Sequence, residues 1–314
     1  MKRLLLLLAV IAVPATHGAR QGGHPVALVT AETQNQLLVV ALSTGTVESR
    51  LRMPSDPQNI EADERTVVVV STRAGAVTLL DARRLSVTRA FRGFVSPHIA
   101  ELSPDGAYAY VTDDATGQLV VIGLARKRIV RRLYVGLGAH HMDFSPDGRR
   151  LWIALGERAH TIVIVNTTSQ ARPRVLRRFQ PGGLVHDLSF APGGRRVWVT
   201  YDDRSTISVL DARSRKTLFR LPAGSPPQHV VFGRYAYVTS GNDGRLRIFS
   251  TNGRLLGVAA TPAGSFNLSL GPAGGVLTSS LTTGMLTELT DSGHATGTRH
   301  VAPAARDVAG VLLP

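Results

Sequence analysis

A segment of about forty residues recurs along nearly the whole chain and constrains the fold more than any other feature. Residues 100–123 read AELSPDGAYAYVTDDATGQLVVIG, and residues 188–211 read LSFAPGGRRVWVTYDDRSTISVLD. Both contain an apolar strand, a Pro/Gly turn, a second strand that ends in Val-Thr, a polar loop and a third strand. Repeats of this length and composition are typical of β-propellers, in which each repeat forms one small antiparallel sheet.

The end of the second strand marks each repeat. The marker residues are Thr30, Ser71, Thr112, Ala154, Thr200, Thr239 and, approximately, Ser279. Their spacing of 39 to 46 residues predicts seven blades. The first repeat begins at a second strand, Val26–Thr30, whereas the C-terminal segment Arg306–Leu312 resembles a first strand. We therefore expect an all-β, seven-bladed propeller in which the C-terminal strand completes the N-terminal blade and closes the ring.

Residues 1–19 follow the pattern of a secretory signal peptide. Lys2 and Arg3 precede the apolar run Leu4–Val13, and small and turn-forming residues follow it. The apolar run is too short for a membrane span, which needs about 20 residues. We expect cleavage near residues 18–20 and a propeller over residues 25–314. The mature protein is expected to be exported to a periplasm, a cell wall or the medium, without a transmembrane segment, and to be a monomer.

The chain has no cysteine and a formal net charge of +14. The absence of cysteine excludes disulfides, a covalently attached haem of the Cys-x-x-Cys-His type and a lipid-modified cysteine. The positive charge is almost all arginine and clusters around the hairpin that leads into each fourth, outermost strand. The arginines concerned are Arg83, Arg84, Arg89, Arg126, Arg128, Arg131, Arg132, Arg174, Arg177, Arg178, Arg213, Arg215 and Arg220.

Two interpretations of these arginines are open. Charge on an exposed strand discourages edge-to-edge association between proteins. Alternatively, the arginines form a basic rim that binds a polyanion such as DNA or an anionic cell-wall polymer. Specific nucleic-acid recognition is not expected, because exposed aromatic residues for base stacking are not interleaved with the arginines.

Two rows of polar residues lie where the innermost strands begin, at the expected mouth of the central channel. The first row is His98, His140, His186, Gln228, Phe266 and Arg306, and the second is Ile99, His141, Asp187, His229, Asn267 and Asp307. Imidazoles and carboxylates that converge from several blades can bind a metal or a ligand, or act as a general base. The simpler interpretation is a polar lining of a hydrated channel.

Aspartate and asparagine side chains also recur in the loop after the second strand. The residues are Asp113, Asp114, Asp202, Asp203, Asn242 and Asp243. A calcium ion needs six to eight oxygen ligands, but these sets belong to different blades, so we expect solvated loops or turn caps. The chain also lacks the motifs Gly-x-Ser-x-Gly, His-Glu-x-x-His, Gly-x-x-x-x-Gly-Lys and Gly-x-Gly-x-x-Gly.

Tyr110–Asp113 (YVTD), Ala236–Thr239 (AYVT) and the Ser-Pro-Asp-Gly turns at residues 103–106 and 145–148 resemble the YVTN-repeat β-propellers. That family consists of exported bacterial and archaeal proteins, similar in fold to the haem d1 domain of nitrite reductases and to lactonase-type propellers. The resemblance covers roughly residues 25–314. Blades one, two and seven depart from the repeat, and blade two has Asp63-Glu64-Arg65 in place of the turn.

From these features we expect a non-catalytic binding scaffold with a ligand or partner site at the channel mouth. The candidate ligand residues are His98, His140, His141, His186, Asp187, His229, Asn267, Arg306 and Asp307. The resemblance also implies two alternatives. In a lactonase-type hydrolase, a histidine or Asp187 would activate water while Arg306 held a carboxylate or oxyanion. In an accessory of periplasmic quinone- or haem-linked oxidation, any haem would be bound non-covalently.

Overall fold

The computed structural model describes residues 23–156, 160–224 and 226–314, so the expected signal segment lies outside the described residues. The described chain forms twenty-eight β-strands and one short 3-10 helix, Glu32–Gln34. The strands form seven four-stranded antiparallel sheets, which are the seven blades. No helix among these residues is long and apolar enough to cross a membrane.

The blades follow one another along the chain. Blade 1 comprises β28 (Ala305–Leu313), β1 (His24–Ala31), β2 (Gln36–Ala41) and β3 (Val47–Arg52). Blade 2 comprises β4 (Pro57–Ala62), β5 (Thr66–Ser71), β6 (Ala76–Asp81) and β7 (Ser86–Arg92). Blade 3 comprises β8 (Pro97–Leu102), β9 (Tyr108–Asp113), β10 (Gln118–Gly123) and β11 (Arg128–Tyr134). Blade 4 comprises β12 (Met142–Phe144), β13 (Arg150–Ala154), β14 (Ile162–Asn166) and β15 (Arg174–Phe179).

The remaining blades repeat the same order. Blade 5 comprises β16 (Val185–Phe190), β17 (Arg196–Tyr201), β18 (Thr206–Asp211) and β19 (Thr217–Pro222). Blade 6 comprises β20 (Val230–Phe232), β21 (Ala236–Ser240), β22 (Arg245–Phe249) and β23 (Leu255–Ala260). Blade 7 comprises β24 (Ser265–Leu270), β25 (Val276–Ser280), β26 (Met285–Leu289) and β27 (Ala295–His300).

Burial follows the position of each strand in its blade. The second and third strands are covered on both faces by neighbouring blades, and β5 accordingly buries every residue from Val67 to Ser71. Such strands are continuously apolar and rich in β-branched residues. The fourth strands are largely exposed, as in β7 and β15. The arginines of the outer strands therefore occupy the solvent-facing edge, as the sequence predicts.

The ring closes through the C-terminal strand. β28 pairs antiparallel with β1, with Val26 opposite Val311 and Val29 opposite Val308. Because β1 pairs with β2 on its other side, blade 1 is built from both ends of the described chain. This confirms the seven-bladed fold and the predicted closure.

In blades 3, 5 and 6 the threonine of the Val-Thr motif connects the blade to the next one. The hydroxyl of Thr112 accepts a hydrogen bond from the Ile99 amide at 3.1 Å and donates to the His140 carbonyl at 2.8 Å. Thr200 likewise accepts from the Asp187 amide and donates to the Gln228 carbonyl. Each threonine therefore fixes the start of the next innermost strand, where the first polar row lies.

The antiparallel order gives the disc two different faces. Innermost strands begin, and second strands end, on one face, which we call the mouth face. The turns between first and second strands and between third and fourth strands lie on the opposite face, which we call the turn face. On the turn face, Ser103–Gly106 forms a tight turn in which the Gly106 amide donates to the Ser103 carbonyl and Gly106 has φ = +63°. In blade 2 the Asp63 carboxylate accepts from the Arg65 and Thr66 amides instead.

Candidate functional site

Five histidines from four neighbouring blades meet at the channel mouth. The His98 and His140 rings are stacked, with centroids 3.7 Å apart and planes inclined by 15°. The ring centroid of His141 lies 4.5 Å from that of His229 and 4.9 Å from that of His186. The His186 and His229 centroids are 5.2 Å apart. The two sequence rows thus form one imidazole cluster, because the backbone bonds of Thr112 and Thr200 align successive strand starts.

Carboxylates approach the Nδ1 atoms of four of these rings. Asp187 places Oδ2 3.2 Å from His229 Nδ1 and Oδ1 3.9 Å from His141 Nδ1. Two further pairs involve the loops after the second strands: His186 Nδ1 lies 2.9 Å from Asp202 Oδ1, and His140 Nδ1 lies 3.5 Å from Asp114 Oδ2. The carboxylates set the orientation of the rings.

The other loop carboxylates have local partners. Asp113 accepts hydrogen bonds from the Val95 and Ser96 amides, which makes it a turn cap. Asp203 pairs with Arg204 at 3.0 Å, and Asp243 pairs with Arg247 at 2.6 Å. Asn242 is exposed. Local pairing within the loop therefore describes Asp203 and Asp243, and Asp113 caps the loop that precedes its own blade. Asp114 and Asp202 turn toward the histidines instead.

Burial keeps part of the histidine cluster neutral. The pKa of His98 is well below its usual value, first because the ring is buried and then because His140 and Arg306 are close. The pKa of His141 is also well below its usual value, because of burial and then the proximity of His229. A neutral imidazole has a free nitrogen lone pair, which is the form that binds a metal ion.

Two sets of three histidines have nitrogen atoms close enough to share a metal ion. The sets are His98, His140 and His141, and His141, His186 and His229, and within each set the candidate ligand atoms lie within 4.8 Å of one another. His186 Nε2 is buried and has no hydrogen-bond partner among the described residues. A histidine that pairs one ring nitrogen with a carboxylate and leaves the other free has the arrangement usual for metal ligands.

The mouth encloses a cavity of about 270 Å³. Besides the histidines and Asp202, its lining includes Gln58, Gln228, Phe266 and Arg306. Arg306 Nη1 lies 3.7 Å from Glu32 Oε2, so this guanidinium already has a partly buried anionic partner.

Asn267 and Asp307 also line this cavity, but their polar atoms connect blades. Asn267 Nδ2 donates to the Arg306 carbonyl at 2.8 Å. Asp307 Oδ2 accepts from Asn59 Nδ2 at 2.9 Å and from the Ile60 amide at 3.1 Å. These contacts give both residues a structural role at the joints between blades.

Sequence reasoning missed residues of blade 2 and of the deeper channel. Gln58 and Asn59 continue the two polar rows, because they precede Ile60 in blade 2 as His140 and His141 precede Met142 in blade 4. Glu61, Glu101 and Asp143 line the channel below the histidines, in a cavity of about 560 Å³. The sequence could have indicated them, because in blades 2, 3 and 4 a carboxylate lies two residues after the position of the second polar row.

The channel carboxylates hold their protons unusually strongly. Burial, followed by the neighbouring Asp307 and Asp143, raises the pKa of Glu61 to about 8. Burial raises the pKa of Asp143 to about 7, although the Phe190 amide donates a hydrogen bond that opposes the rise. The pKa of Glu101 is raised well above its usual value by burial and by Glu61. Acids this close within an enclosed channel cannot all ionise easily.

Comparison with known proteins supports the propeller assignment. Residues 62–169 match the family model of the cytochrome D1 heme domain, and this stretch includes His98, His140 and His141. No curated protein matches the sequence. A functionally unknown protein from Desulfotomaculum acetoxidans DSM 771 has a similar solved structure, with a TM-score of 0.81 and 15% identity over 92% of this chain and 99% of that chain.

Two further solved structures have a named activity. The periplasmic gluconolactonase PpgL of Pseudomonas aeruginosa has a TM-score of 0.72 and 19% identity over 92% of this chain and 99% of that chain. The dihydro-heme d1 dehydrogenase NirN, in complex with DHE, has a TM-score of 0.68 and 15% identity over 88% of this chain and 64% of that chain. At these identities the likeness establishes the fold.

The family match raises the question of whether the mouth fits a haem. The histidines supply ring nitrogens suitable for iron. The cavity of about 270 Å³ is nevertheless smaller than the roughly 300–1,000 Å³ of pockets that enclose drug-sized ligands. A tetrapyrrole needs a pocket well inside that range, so the mouth fits a metal ion or a small ligand but does not enclose a haem. The chain is therefore a seven-bladed β-propeller, similar in sequence over residues 62–169 to haem d1 domains and similar in fold to haem d1-type and lactonase-type propellers.

Proposed function

We propose that the protein is an exported binding propeller whose channel mouth holds a transition-metal ion on histidine side chains. The observation that supports this is the convergence of five imidazoles from four blades, two of them kept neutral by burial. A polar lining of a hydrated channel needs hydrogen-bonding groups only. It does not need carboxylates on Nδ1 together with a buried Nε2 that lacks a partner.

Of the two sets of three, His141, His186 and His229 form the better site. Each of these Nδ1 atoms faces a carboxylate, at 3.9 Å for His141, 2.9 Å for His186 and 3.2 Å for His229, which leaves Nε2 for the metal. In the other set, the stacked rings of His98 and His140 are nearly parallel. Their in-plane lone pairs therefore run side by side instead of converging on one ion.

The donor set indicates the metal class. Imidazole nitrogens suit zinc, copper, nickel and iron, whereas calcium and magnesium prefer oxygen ligands. Three histidines leave at least one coordination position for a water molecule or a small ligand from the mouth, as in zinc sites with an open position. We therefore propose a zinc-type site that presents its open position to the cavity of about 270 Å³.

The test is the elemental metal content of mature protein purified from its own export route without a histidine tag. We expect close to one transition-metal ion per chain, lost in the double variant His141→Ala/His186→Ala. The exposed His294 provides a matched control, and His294→Ala should keep the metal. Metal-free protein that also fails to bind added zinc at micromolar concentration would overturn the proposal, as would metal retained in the double variant.

A second candidate is a lactonase-type hydrolase, favoured by the pairing of Asp187 with His229, which lines the same cavity as Arg306. On this hypothesis a neutral imidazole accepts a proton from water while Asp187 orients the ring, and Arg306 binds a carboxylate or the developing oxyanion. The fold likeness to a periplasmic gluconolactonase supports the same idea. The rate of gluconolactone hydrolysis, measured by the release of protons, should fall at least about 100-fold in Asp187→Asn. Unchanged hydrolysis in that variant, or none in the parent protein, removes this candidate.

Export is part of the proposal and has its own support. Residues 1–19 carry the signal-peptide pattern, and one similar structure is a periplasmic enzyme. N-terminal sequencing of protein recovered outside the cytoplasm should begin within residues 19–21. Recovery of uncut protein from the cytoplasm alone would contradict export.

A further inference from the structure

The turn face of blades 3 to 5 carries two basic grooves at successive blade junctions. The first groove, between blades 3 and 4, has a volume of about 850 Å³. It is lined by small residues, Tyr108 and the arginines Arg126, Arg128, Arg131 and Arg172, with no carboxylate among its described lining residues. The groove therefore offers several positive charges in a concave setting.

The arginines of the first groove are free to bind a ligand. All four are exposed, and none makes an ion pair or a side-chain hydrogen bond with another described residue. Guanidinium groups held near one another repel, and an anion that binds between them relieves this repulsion. An arginine fork also binds carboxylate, sulfate or phosphate oxygens in a bidentate manner.

The second groove, between blades 4 and 5, has a volume of about 550 Å³. Its arginines are Arg150, Arg177, Arg213 and Arg215. Its one carboxylate among the described lining residues, Asp147, is already used within its own turn, where it accepts from Ser145 Oγ at 2.6 Å and from the Arg149 amide at 3.1 Å. Both grooves open on the turn face, so a chain crossing the two junctions meets one arginine group after the other.

The shape of the grooves identifies the kind of partner. A flat bilayer cannot enter a concave groove between blades, whereas a narrow chain can. Tyr108 is half-buried, so the first groove offers no exposed aromatic surface on which a nucleic-acid base could stack. Leu176, which is 40% exposed, lines the second groove and offers an apolar contact for the carbon face of a sugar ring.

We propose that the turn face of blades 3 to 5 binds a linear acidic glycan. Its carboxylate or sulfate groups are held by the arginines of the two grooves, and its sugar rings lie along the groove floor. This binding is independent of the histidine cluster, which lies on the opposite face of the disc.

A heparin octasaccharide is the probe, with affinity measured by calorimetry at several sodium chloride concentrations. The groove variant is Arg126→Gln/Arg128→Gln/Arg172→Gln. The control variant, Arg50→Gln/Arg52→Gln/Arg254→Gln, loses the same charge from exposed arginines of blades 1 and 6. We expect the groove variant to lose at least about tenfold in affinity and to show a salt slope shallower by about two, because each lost contact releases one fewer counterion. The control should lose less than about threefold.

Several outcomes would overturn the proposal. Absence of binding at low salt removes the site, and equal losses in the groove and control variants show attraction by net charge alone. Duplex DNA that binds as tightly as the octasaccharide, with the same dependence on the groove arginines, would identify a nucleic-acid backbone as the partner. Anionic phosphatidylglycerol vesicles that bind with that dependence would identify a membrane. Circular dichroism melts confirm that both variants are folded.

Discussion

The mouth face and the turn face of this disc are built by one repeat yet have opposite chemistry. At the mouth, imidazoles and carboxylates lie within hydrogen-bonding or ion-pairing distance of one another, and several are buried. On the turn face, exposed arginines line grooves and several lack partners. Interactions at the mouth are therefore short-ranged and shielded from salt, whereas those of the turn face are long-ranged and screened by it.

The difference between the two faces shows which positions of the repeat can vary without loss of the fold. Core positions of the second and third strands are fixed by packing between blades, and the Val-Thr threonine is fixed by its two backbone bonds. The side chains of the first polar row and of the turns between third and fourth strands carry no such requirement, whereas Asn267 and Asp307 of the second row connect blades. Function can therefore be placed at either end of the blades without disturbing the fold.

The largest expected effect comes from deleting residues 305–314, which removes β28, the innermost strand of blade 1. The deletion takes away the buried Ala305, Val308, Ala309 and Val311 and leaves β1 with an unpaired edge. We expect a loss of about 5 kcal/mol or more in the free energy of unfolding, measured by calorimetry or urea titration. Deleting Pro314 alone is the control.

The orientation of the mouth histidines is tested by comparing two adjacent carboxylates. Asp202 contacts His186 Nδ1 at 2.9 Å, whereas Asp203 pairs with Arg204. Asp202→Asn should weaken metal binding by about 10- to 100-fold, the usual effect of losing a partner of a ligating histidine. Asp203→Asn should leave metal affinity unchanged. Equal affinities in the two variants would mean that Asp202 does not orient a ligand.

Salt should separate the two faces directly. Raising sodium chloride from about 50 to 200 mM should weaken octasaccharide binding at least about tenfold, because counterions compete for the exposed arginines. Over the same range the affinity for zinc should change by less than about threefold, since the ligand atoms are enclosed at the mouth and act at short range. The comparison is made by titrating one protein preparation with zinc and with the octasaccharide at each salt concentration. A strong salt dependence at both sites would contradict the distinction between buried and exposed charge.

The sequence predicted the fold well because the strand pattern recurs at near-even spacing, and several blades add the same turn and Val-Thr signals. It also identified the rows from His98 to Arg306, since those residues share a position in the repeat. The approach of Asp114 to His140 was not predictable, because it joins a loop of one blade to the strand start of the next. The basic grooves were missed for the same reason: Arg126 and Arg172 meet only at a junction between blades.

The smallest expected effect concerns Glu61, which lies in the channel between the two faces. Its pKa is raised to about 8 by burial and then by Asp307, Asp143 and Asp63, whereas in the unfolded chain it lies near 4.5. Between these values the folded protein binds more protons than the unfolded chain, so the contribution of Glu61 makes stability fall as pH rises from about 4.5 to 8. Below about pH 4.5 Glu61 is protonated in both the folded and the unfolded state, so it does not lower the free energy of unfolding.

The variant Glu61→Gln removes the charge while keeping the shape of the side chain. Urea unfolding at pH 5 and at pH 8.5 should show a smaller loss of stability with rising pH than in the parent protein, by about 1–3 kcal/mol, since one pKa unit corresponds to about 1.4 kcal/mol and the neighbouring acids share the shift. Glu64→Gln, at an exposed turn position, should retain the parent's pH dependence. Because Glu61 belongs to neither face, zinc and octasaccharide affinities should both be unchanged at pH 7. A change in only one of them would show that the channel is coupled to that face.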